Sequence, residues 1–584
     1  MEEKRYWLSL EDLDNDSSFE EKQKKEFFTD PFAEALSGST IKATRRDFLK
    51  FFGFSIGSAA VLSACTRGPV RYALPYVNKP QEITPSVANY YASTFFDGLE
   101  YNSILVKTRE GRPIKIEGNK LSPITQGGVS ARGQAHVLSL YDNYRLKGPL
   151  KGGKPVSWQQ CDEEILQALN NAPKGSIVLL SSSIISPSTR ALIKEFNEKF
   201  GARHVVYDSI SSSAIIEAHE AAFDVRALPR YRFDKAEVIA AFNADFLGTW
   251  LSPTEFTAQY AQNRKVENNL KISRHIQFEG NLSITGANAD LRIPMKPSQE
   301  GQCLLKLYNE IAALAGKEVL EGGQDLAGNT IASTARELWQ AKGRALVVSG
   351  SNDLQLQILV CAINDLLESY GNTIDLDNYS YLRQGIDKEV QSLLADLEGG
   401  KIDVLIIYDS NPVYTYPEAE RFKAAIKKAK VSIAFTESVD ETSDVCTYTL
   451  PLHHSLESWG DAEPYKNHFS LQQPTIYNLF DTRQFQDCLL KYLGKTQTFR
   501  EYIQAYWQNT IYKMAKDAGS FNDFWVKSLH DGVFNAPIDS KNYKFKAKLD
   551  SQKIRPASNG VELQLYTKVG IGSGYMANNP WLQE

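Results

Sequence analysis

Short apolar runs alternating with helix-length segments constrain this chain more than any other feature of its sequence. Ile177-Val178-Leu179-Leu180, His204-Val205-Val206-Tyr207, Val238-Ile239-Ala240-Ala241-Phe242 and His275-Ile276-Gln277-Phe278 form a first series. Ala345-Leu346-Val347-Val348, Val404-Leu405-Ile406-Ile407 and Val431-Ser432-Ile433-Ala434-Phe435 form a second. Runs of four or five such residues suit strands covered on both faces, as in parallel sheets. The segments between them read as helices. One is expected from Ser186 as N-cap and Pro187 at the first helical position to Phe200. Others are expected around Gln355–Tyr370 and over the lysine-rich stretch Glu418–Lys428. The two series predict an α/β protein with two doubly wound parallel-sheet halves, at residues 151–330 and 331–480.

The flanking regions read differently. Residues 66–86 carry Pro69, Pro75, Pro80 and Pro85 and are expected to be an extended tether. Residues 87–150 suggest a small β-rich domain. Ser103–Thr108 and Pro113–Glu117 are strand candidates around an Arg109-Glu110-Gly111-Arg112 turn, and Gly127-Gly128 marks another turn. Residues 481–584 predict a mixed helical and β part, with aromatic-rich helices over 485–545 and a last strand at Val561–Leu565. The phrase at the chain end reads as one that continues. A length of 584 residues suggests three or four domains. A net charge of −5 without a basic stripe speaks against nucleic-acid binding.

The N-terminus carries an address. After a charged extension, residues 1–43, the segment 44–65 opens on Arg45-Arg46. Phe51 to Ala64 follows without a charge, and Leu62-Ser63-Ala64-Cys65 closes it. The paired arginines resemble a twin-arginine export signal, and the last four residues resemble a lipobox whose Cys becomes acylated. The apolar stretch is shorter than the roughly 20 residues that span a bilayer.

Cys161, Cys303, Cys361, Cys446 and Cys488 stand far apart in the chain. That spacing offers no C-x-x-C-H haem attachment and no C-x2-C pair for zinc or an iron–sulfur cluster. Buried free thiols are the expectation. His453, His454 and Glu457 have metal-binding chemistry, but adjacent histidines do not share a helix face. Asn411-Pro412 follows a strand and either faces a ligand or starts the next helix. Glu437, Asp440, Glu441 and Asp444 read as a solvated acidic loop. No catalytic, cofactor-binding or metal-ligating residue is nominated.

Several phrases carry a resemblance. They are Leu105 to Asn119 (LVKTREGRPIKIEGN), Gly127 to Ala135 (GGVSARGQA), Leu140-Tyr141-Asp142, Arg145 to Pro149, Asp409 to Val413 (DSNPV) and Leu456 to Asp461 (LESWGD). In this order they resemble the molybdopterin oxidoreductase family over nearly all of 87–584. That resemblance implies a small cluster-bearing first domain and large α/β domains that hold pterin dinucleotides. The departures matter equally. No cysteine lies in Tyr90–Leu99, and Ser130 stands where the last cluster thiolate is expected. The segment Asp208–His219, near the family's metal-ligand position, lacks Cys and offers Ser209, Ser211, Ser212 and Ser213.

Within the family, the long leader with its early Tyr6-Trp7-Leu8-Ser9-Leu10 phrase, the lipobox and the cysteine-free first domain resemble the large iron–sulfur subunit of alternative complex III, a quinol-oxidising membrane assembly. The resemblance implies a structural and docking subunit without a cofactor of its own. Iron–sulfur clusters and haem c are then expected in a continuation or in partner subunits, beside integral-membrane quinol-binding subunits. The place implied is the periplasmic face of the bacterial inner membrane, with a lipid anchor at Cys65. An active molybdopterin-dependent oxidoreductase and a lipoprotein that binds a small molecule are the alternatives.

Overall fold

The computed structural model describes residue 84 and residues 87–267, 272–516 and 519–584. Arg45, Arg46, Cys65 and the expected tether lie outside the described residues.

Residues 89–118 form a three-stranded antiparallel sheet from strands Asn89–Phe96, Tyr101–Arg109 and Arg112–Gly118. The last two make the expected hairpin. Its two turn residues, Glu110 and Gly111, both have positive φ (50° and 74°), which matches the twist of the paired strands. Helix Ala131–Ser139 packs beside this sheet. Ser130 caps it by accepting from the Gly133 amide at 3.2 Å. Phe95, Ile104, Val106, Ile116, Val137, Leu140, Leu456 and Met576 form the apolar centre of this region.

Two parallel sheets follow, and the chain weaves between them. The larger has the order Lys154–Pro155, Leu150–Lys151, Tyr448–Pro451, Val431–Thr436, Val404–Tyr408, Ile177–Ser181, Arg203–Val206. Its last five strands are parallel, and the first two add an antiparallel hairpin at one edge. The smaller sheet has the order Leu291–Pro294, Arg274–Glu279, Val238–Phe242, Ala345–Ser349, all parallel. The two halves are therefore not divided at residue 330. Val404–Tyr408 pairs along its length with Ile177–Ser181, so the smaller sheet is inserted into the larger one. The expectation of two consecutive halves is corrected here. Local apolar pattern announces strands but says nothing about partners more than 200 residues apart. A fourth, five-stranded sheet joins Leu228–Tyr231, Ile374–Ser380, Gly460–Tyr465, His468–Gln472 and Val533–Asn535.

The expected elements are present with small shifts at their ends. Helix Pro187–Phe200 has Ser186 as its cap and Gly201 at φ 63° beyond its end. Helices Leu354–Leu366 and Ala419–Ile426 occupy the other two expected stretches. Val561–Leu565 is the exception. It is extended but joins no sheet. Its polar residues face inward: Glu562 accepts from the amide (2.9 Å) and hydroxyl (2.5 Å) of Ser298. Val561, Leu563 and Leu565 face solvent.

Ile177, Val178, Leu179, Leu180, Leu405 and Ile406 are all 0% exposed. Burying each such side chain contributes roughly 1.5–3 kcal/mol. Ile406→Ala, at the centre of the larger sheet, is expected to destabilise the fold by about 2–5 kcal/mol. A lowered urea midpoint, followed by far-UV circular dichroism, checks this.

Candidate functional site

The strand order of each parallel sheet reverses once, and ligands of such sheets sit beyond the carboxyl ends of the strands at that point. In the larger sheet the reversal lies between Ile177–Ser181 and Val404–Tyr408. In the smaller it lies between Val238–Phe242 and Ala345–Ser349. The two crevices share a device. Asp409 and Asn243 each end a switch-point strand with φ 47°, a left-handed turn that Asn and Asp tolerate. A Cβ on Gly350 would lie 2.2 Å from the Asn243 carbonyl oxygen, so the second pair of loops closes only around glycine.

The first crevice has a volume of about 830 Å³; eight acids, among them Asp97, Asp208, Asp409, Glu437, Asp440 and Glu441, stand in its lining beside Arg145 and many hydroxyl and amide side chains. Asp409 and Glu437 are half-buried. Lost hydration pushes Asp409 up to about 6, helped by the Asp97 charge. It pushes Glu437 up to about 8, against the pull of Arg145 and helped by Asp409. Asp208 is buried and raised by desolvation, although it accepts from the Ser183 amide and hydroxyl and from the Gly385 amide. All four of Glu437, Asp440, Glu441 and Asp444 line this crevice; Glu441 and Asp444 are exposed as a solvated loop expects, whereas Glu437 and Asp440 are half-buried, which corrects the reading for those two. Asn411 serves the protein itself. It donates to Glu441, accepts from Thr442 and precedes the short helix Pro412–Thr415.

The second crevice, about 440 Å³, is lined by Ser211, Ser212, Asn243, Asn281, Asn352 and Arg383, among others. Its polar groups are mostly committed to one another. Asn352 accepts from the Ala214 amide at the start of helix Ser213–Phe223 and donates to Asp387. Ser213 donates to Asp387, and Ser211 accepts from the Ser213 amide. Two exceptions are Gln564, whose Oε1 has no hydrogen-bond partner among the described residues, and Arg383. Arg383 is buried, has φ 51°, donates to the Thr249 carbonyl, and its Nε has no hydrogen-bond partner among the described residues. Burial lowers its pKa to about 10, opposed by Asp208.

The chain's own C-terminal segment lies across both crevices. Gln564–Val569 lines the second, and Gln564 Nε2 reaches Asn243 Oδ1 at 3.4 Å. Ser573–Pro580 lines the first, where the Tyr575 hydroxyl bonds Glu437 at 3.3 Å. Asn579 donates to the Ala135 carbonyl at 2.8 Å, and Met576 enters the apolar centre of the three-stranded sheet. Arg132 holds the junction. Its guanidinium contacts Asp97 at 2.5 Å, Glu100 at 3.0 Å and the Val569 carbonyl at 2.6 Å. Burial alone would raise Asp97; the Arg132 charge and the amides of Glu100 and Leu99 hold it below its usual value.

The remaining candidates serve the scaffold. Arg145 and Glu457 form a buried bidentate pair at 3.1 and 2.6 Å. His454 stacks on His136 at 4.3 Å, and Ser139 bonds both rings. His453 bonds Thr482. Asp461 accepts from Ser186, Ser188 and Trp507. Ser209 lines the first crevice, whereas Ser211 and Ser212 line the second. All five described cysteines are buried and free. Among the described residues, no group of three His, Cys, Asp or Glu side chains is placed to hold a metal. Sequence reading missed Asp97, Glu100, Arg383 and Tyr575. Arg132, Asp409 and Asn411 were signalled as parts of quoted phrases, and Glu437 and Asp440 as members of the acidic run.

A pterin dinucleotide brings phosphates, which need N–H groups or cations around them. Acids stand beside Arg145 and hydroxyl and amide groups in the first crevice, and the second offers Arg383 and Lys568 beside donors partly in use. The acids of the first crevice and the C-terminal segment lining both fit that group poorly.

The architecture is the molybdopterin-oxidoreductase fold. Acetylene hydratase from Pelobacter acetylenicus shares it with a TM-score of 0.56 and 11% identity, over 76% of this chain and 74% of that one. In sequence, the menaquinone reductase, molybdopterin-binding-like subunit of Nitratidesulfovibrio vulgaris (strain Hildenborough) is 24% identical over 502 residues, 77% of this chain and 72% of the relative. The molybdopterin-containing subunit ArrA of arsenate respiratory reductase from Shewanella sp. (strain ANA-3) is 34% identical over 87 residues, 14% of this chain and 10% of the relative. No family model matches the chain. The relatives support a molybdopterin oxidoreductase family for it.

The raised carboxyls give the crevice a pH signature. Asp409 and Glu437 keep their protons in the folded chain at pH values where the unfolded chain has lost them. The folded state then binds more protons, so this contribution to stability falls as pH rises from about 4 to about 8. A chain with Asp409→Asn and Glu437→Gln is expected to match the wild-type Tm near pH 4 and exceed it at pH 8. Thermal unfolding across that range measures it.

Proposed function

We propose that this chain is a structural and docking subunit of a membrane-bound quinol-oxidising electron-transfer complex of the alternative complex III type, and holds no molybdenum cofactor itself. One observation carries the reading. Both crevices that would receive a cofactor in this fold are crossed by the chain's own C-terminal segment, and the first is lined with acids. The relative named as a molybdopterin-binding-like subunit of a menaquinone reductase supports a place in a quinone-linked assembly.

On this reading the redox centres lie elsewhere. Iron–sulfur clusters and haem c belong to a continuation or to partner subunits, and quinol is oxidised by integral-membrane subunits. No helix among the described residues is long and apolar enough to cross a membrane. Attachment at the periplasmic face then falls to partners and to acylated Cys65, after export directed by Arg45 and Arg46. Several acyl chains on one residue hold a protein to a bilayer where a single chain does not.

A second reading rests on Arg383. Its unpartnered Nε at the second crevice favours retention of a small anionic ligand there. Isothermal titration with inorganic phosphate against wild type and Arg383→Met separates this reading from the first, because only the ligand-binding reading expects a signal that the substitution abolishes.

Purification from native membranes in mild detergent tests the main reading. Haem-bearing and cluster-bearing subunits are expected to co-purify, and elemental analysis of the isolated chain is expected to give less than 0.1 molybdenum per chain, about a tenth of stoichiometric. Stoichiometric molybdenum or tungsten overturns it. Intact-mass measurement of the N-terminal peptide is expected to show added acyl mass on Cys65; an unmodified thiol with the leader attached removes the anchor from the proposal.

A further inference from the structure

The segment that failed to become a strand has the chemistry of one. Val561, Leu563 and Leu565 alternate outward and are 104%, 85% and 83% exposed; Tyr566, 70% exposed, ends the alternation. Between them Glu562 and Gln564 turn inward to Ser298 and Asn243. The backbone of residues 561–567 makes no hydrogen bond among the described residues. Three apolar side chains at alternate positions beside unpaired amides and carbonyls leave a lone segment, outside any sheet, that is free to pair with a further strand.

The surroundings define what would lie there. Lys296 donates to the Gly560 carbonyl at 3.0 Å at one end of the row and exposed Lys568 stands at the other, in an arm, residues 541–568, that also holds Lys541, Lys544, Lys546, Lys548, Lys553 and Arg555 against only Asp550 and Glu562. Tyr543, Phe545, Ala547 and Leu549 anchor the first part of this arm to the body, while its lysines face outward. Lys546 pairs with Asp224; Lys544 and Lys548 have no ion pair among the described residues. An occupant must supply alternate apolar side chains, backbone hydrogen bonds and negative charge.

A lipid surface meets two of these requirements but not the third. Hydrocarbon would leave the backbone groups of 561–567 unpaired, which is unfavourable. A strand from a protein partner satisfies them. Resting on the complex-subunit reading, we infer that residues 561–567 are a docking edge on which an extended, apolar and acid-flanked segment of a partner subunit adds as a β-strand.

The test uses the full chain in its native membranes. The substitutions Val561→Glu, Leu563→Glu and Leu565→Glu are combined; all three positions are exposed, so the Tm should not move. Wild type is expected to recover its partners in mild detergent and the triple variant at least ten-fold less. In the wild-type assembly the amides of 561–567 are expected to exchange hydrogen at least ten-fold more slowly than in the isolated chain. A variant that assembles like wild type overturns the docking edge and leaves the complex-subunit reading standing. A wild-type chain that recovers no partner overturns both. Two further outcomes also overturn the edge as a partner site. One is a dimer of the isolated chain that the substitutions dissolve. The other is binding of a Cys65→Ala chain to phosphatidylglycerol–phosphatidylethanolamine vesicles that the substitutions abolish.

Discussion

Arg132 is the fixed point of this architecture. Its guanidinium is almost wholly buried and is shared between Asp97 and Glu100 of the β-rich region and the Val569 carbonyl of the C-terminal segment. Glu100 in turn accepts from Thr254, beside the smaller parallel sheet. Three parts of the chain far apart in sequence therefore meet at one cation. A buried charge of this kind is tolerable only while every partner stays in place, and removing one leaves an uncompensated ion. The geometry explains why the C-terminal segment keeps its path over the crevices. Leaving them would strip the guanidinium of one of its acceptors.

The crevices acquire a different character when viewed from that anchor. In this fold the carboxyl ends of the parallel strands are where a dinucleotide would bring negative charge and the protein would answer with donors. Here the chain answers with its own tyrosine, asparagine and glutamine. Tyr575 stands over Glu437, and Gln564 reaches toward Asn243. Lost hydration, reinforced by neighbouring carboxylates and opposed by the Tyr575 hydroxyl, is what makes Asp409 and Glu437 hold their protons.

Much of this was legible in the sequence, and the boundary of legibility has a physical cause. Strand runs such as Val238–Phe242 and the Ser186-Pro187 helix start were readable because local propensity and burial point the same way. The family-like phrases were readable too. The structure shows that several of them are scaffold: Arg145 with Glu457 is a buried ion pair, Ser130 a helix cap, and Asp461 a hub for Ser186, Ser188 and Trp507. The pairing of Ile177–Ser181 with Val404–Tyr408 was not readable, because register between distant strands leaves no local mark. Val561–Leu565 misled for the converse reason. Alternation announces a strand without telling which face is covered, and here the apolar face is the open one.

The insertion of one parallel sheet into the other has a kinetic consequence. The central strand Ile177–Ser181 emerges from synthesis more than 200 residues before its neighbour Val404–Tyr408. Until then its apolar edge has no partner on that side, and the larger sheet lacks its middle. Contacts of such sequence separation are slow to form and leave aggregation-prone intermediates exposed meanwhile. The smaller sheet, whose four strands all lie between residues 238 and 349, faces no such delay. It is the natural first body to fold, and the larger sheet then closes around a loop whose ends it has already drawn together. A chain built this way reaches its native state late and as a whole, so it is best kept from any partner, membrane or translocation step until nearly all of it has been made.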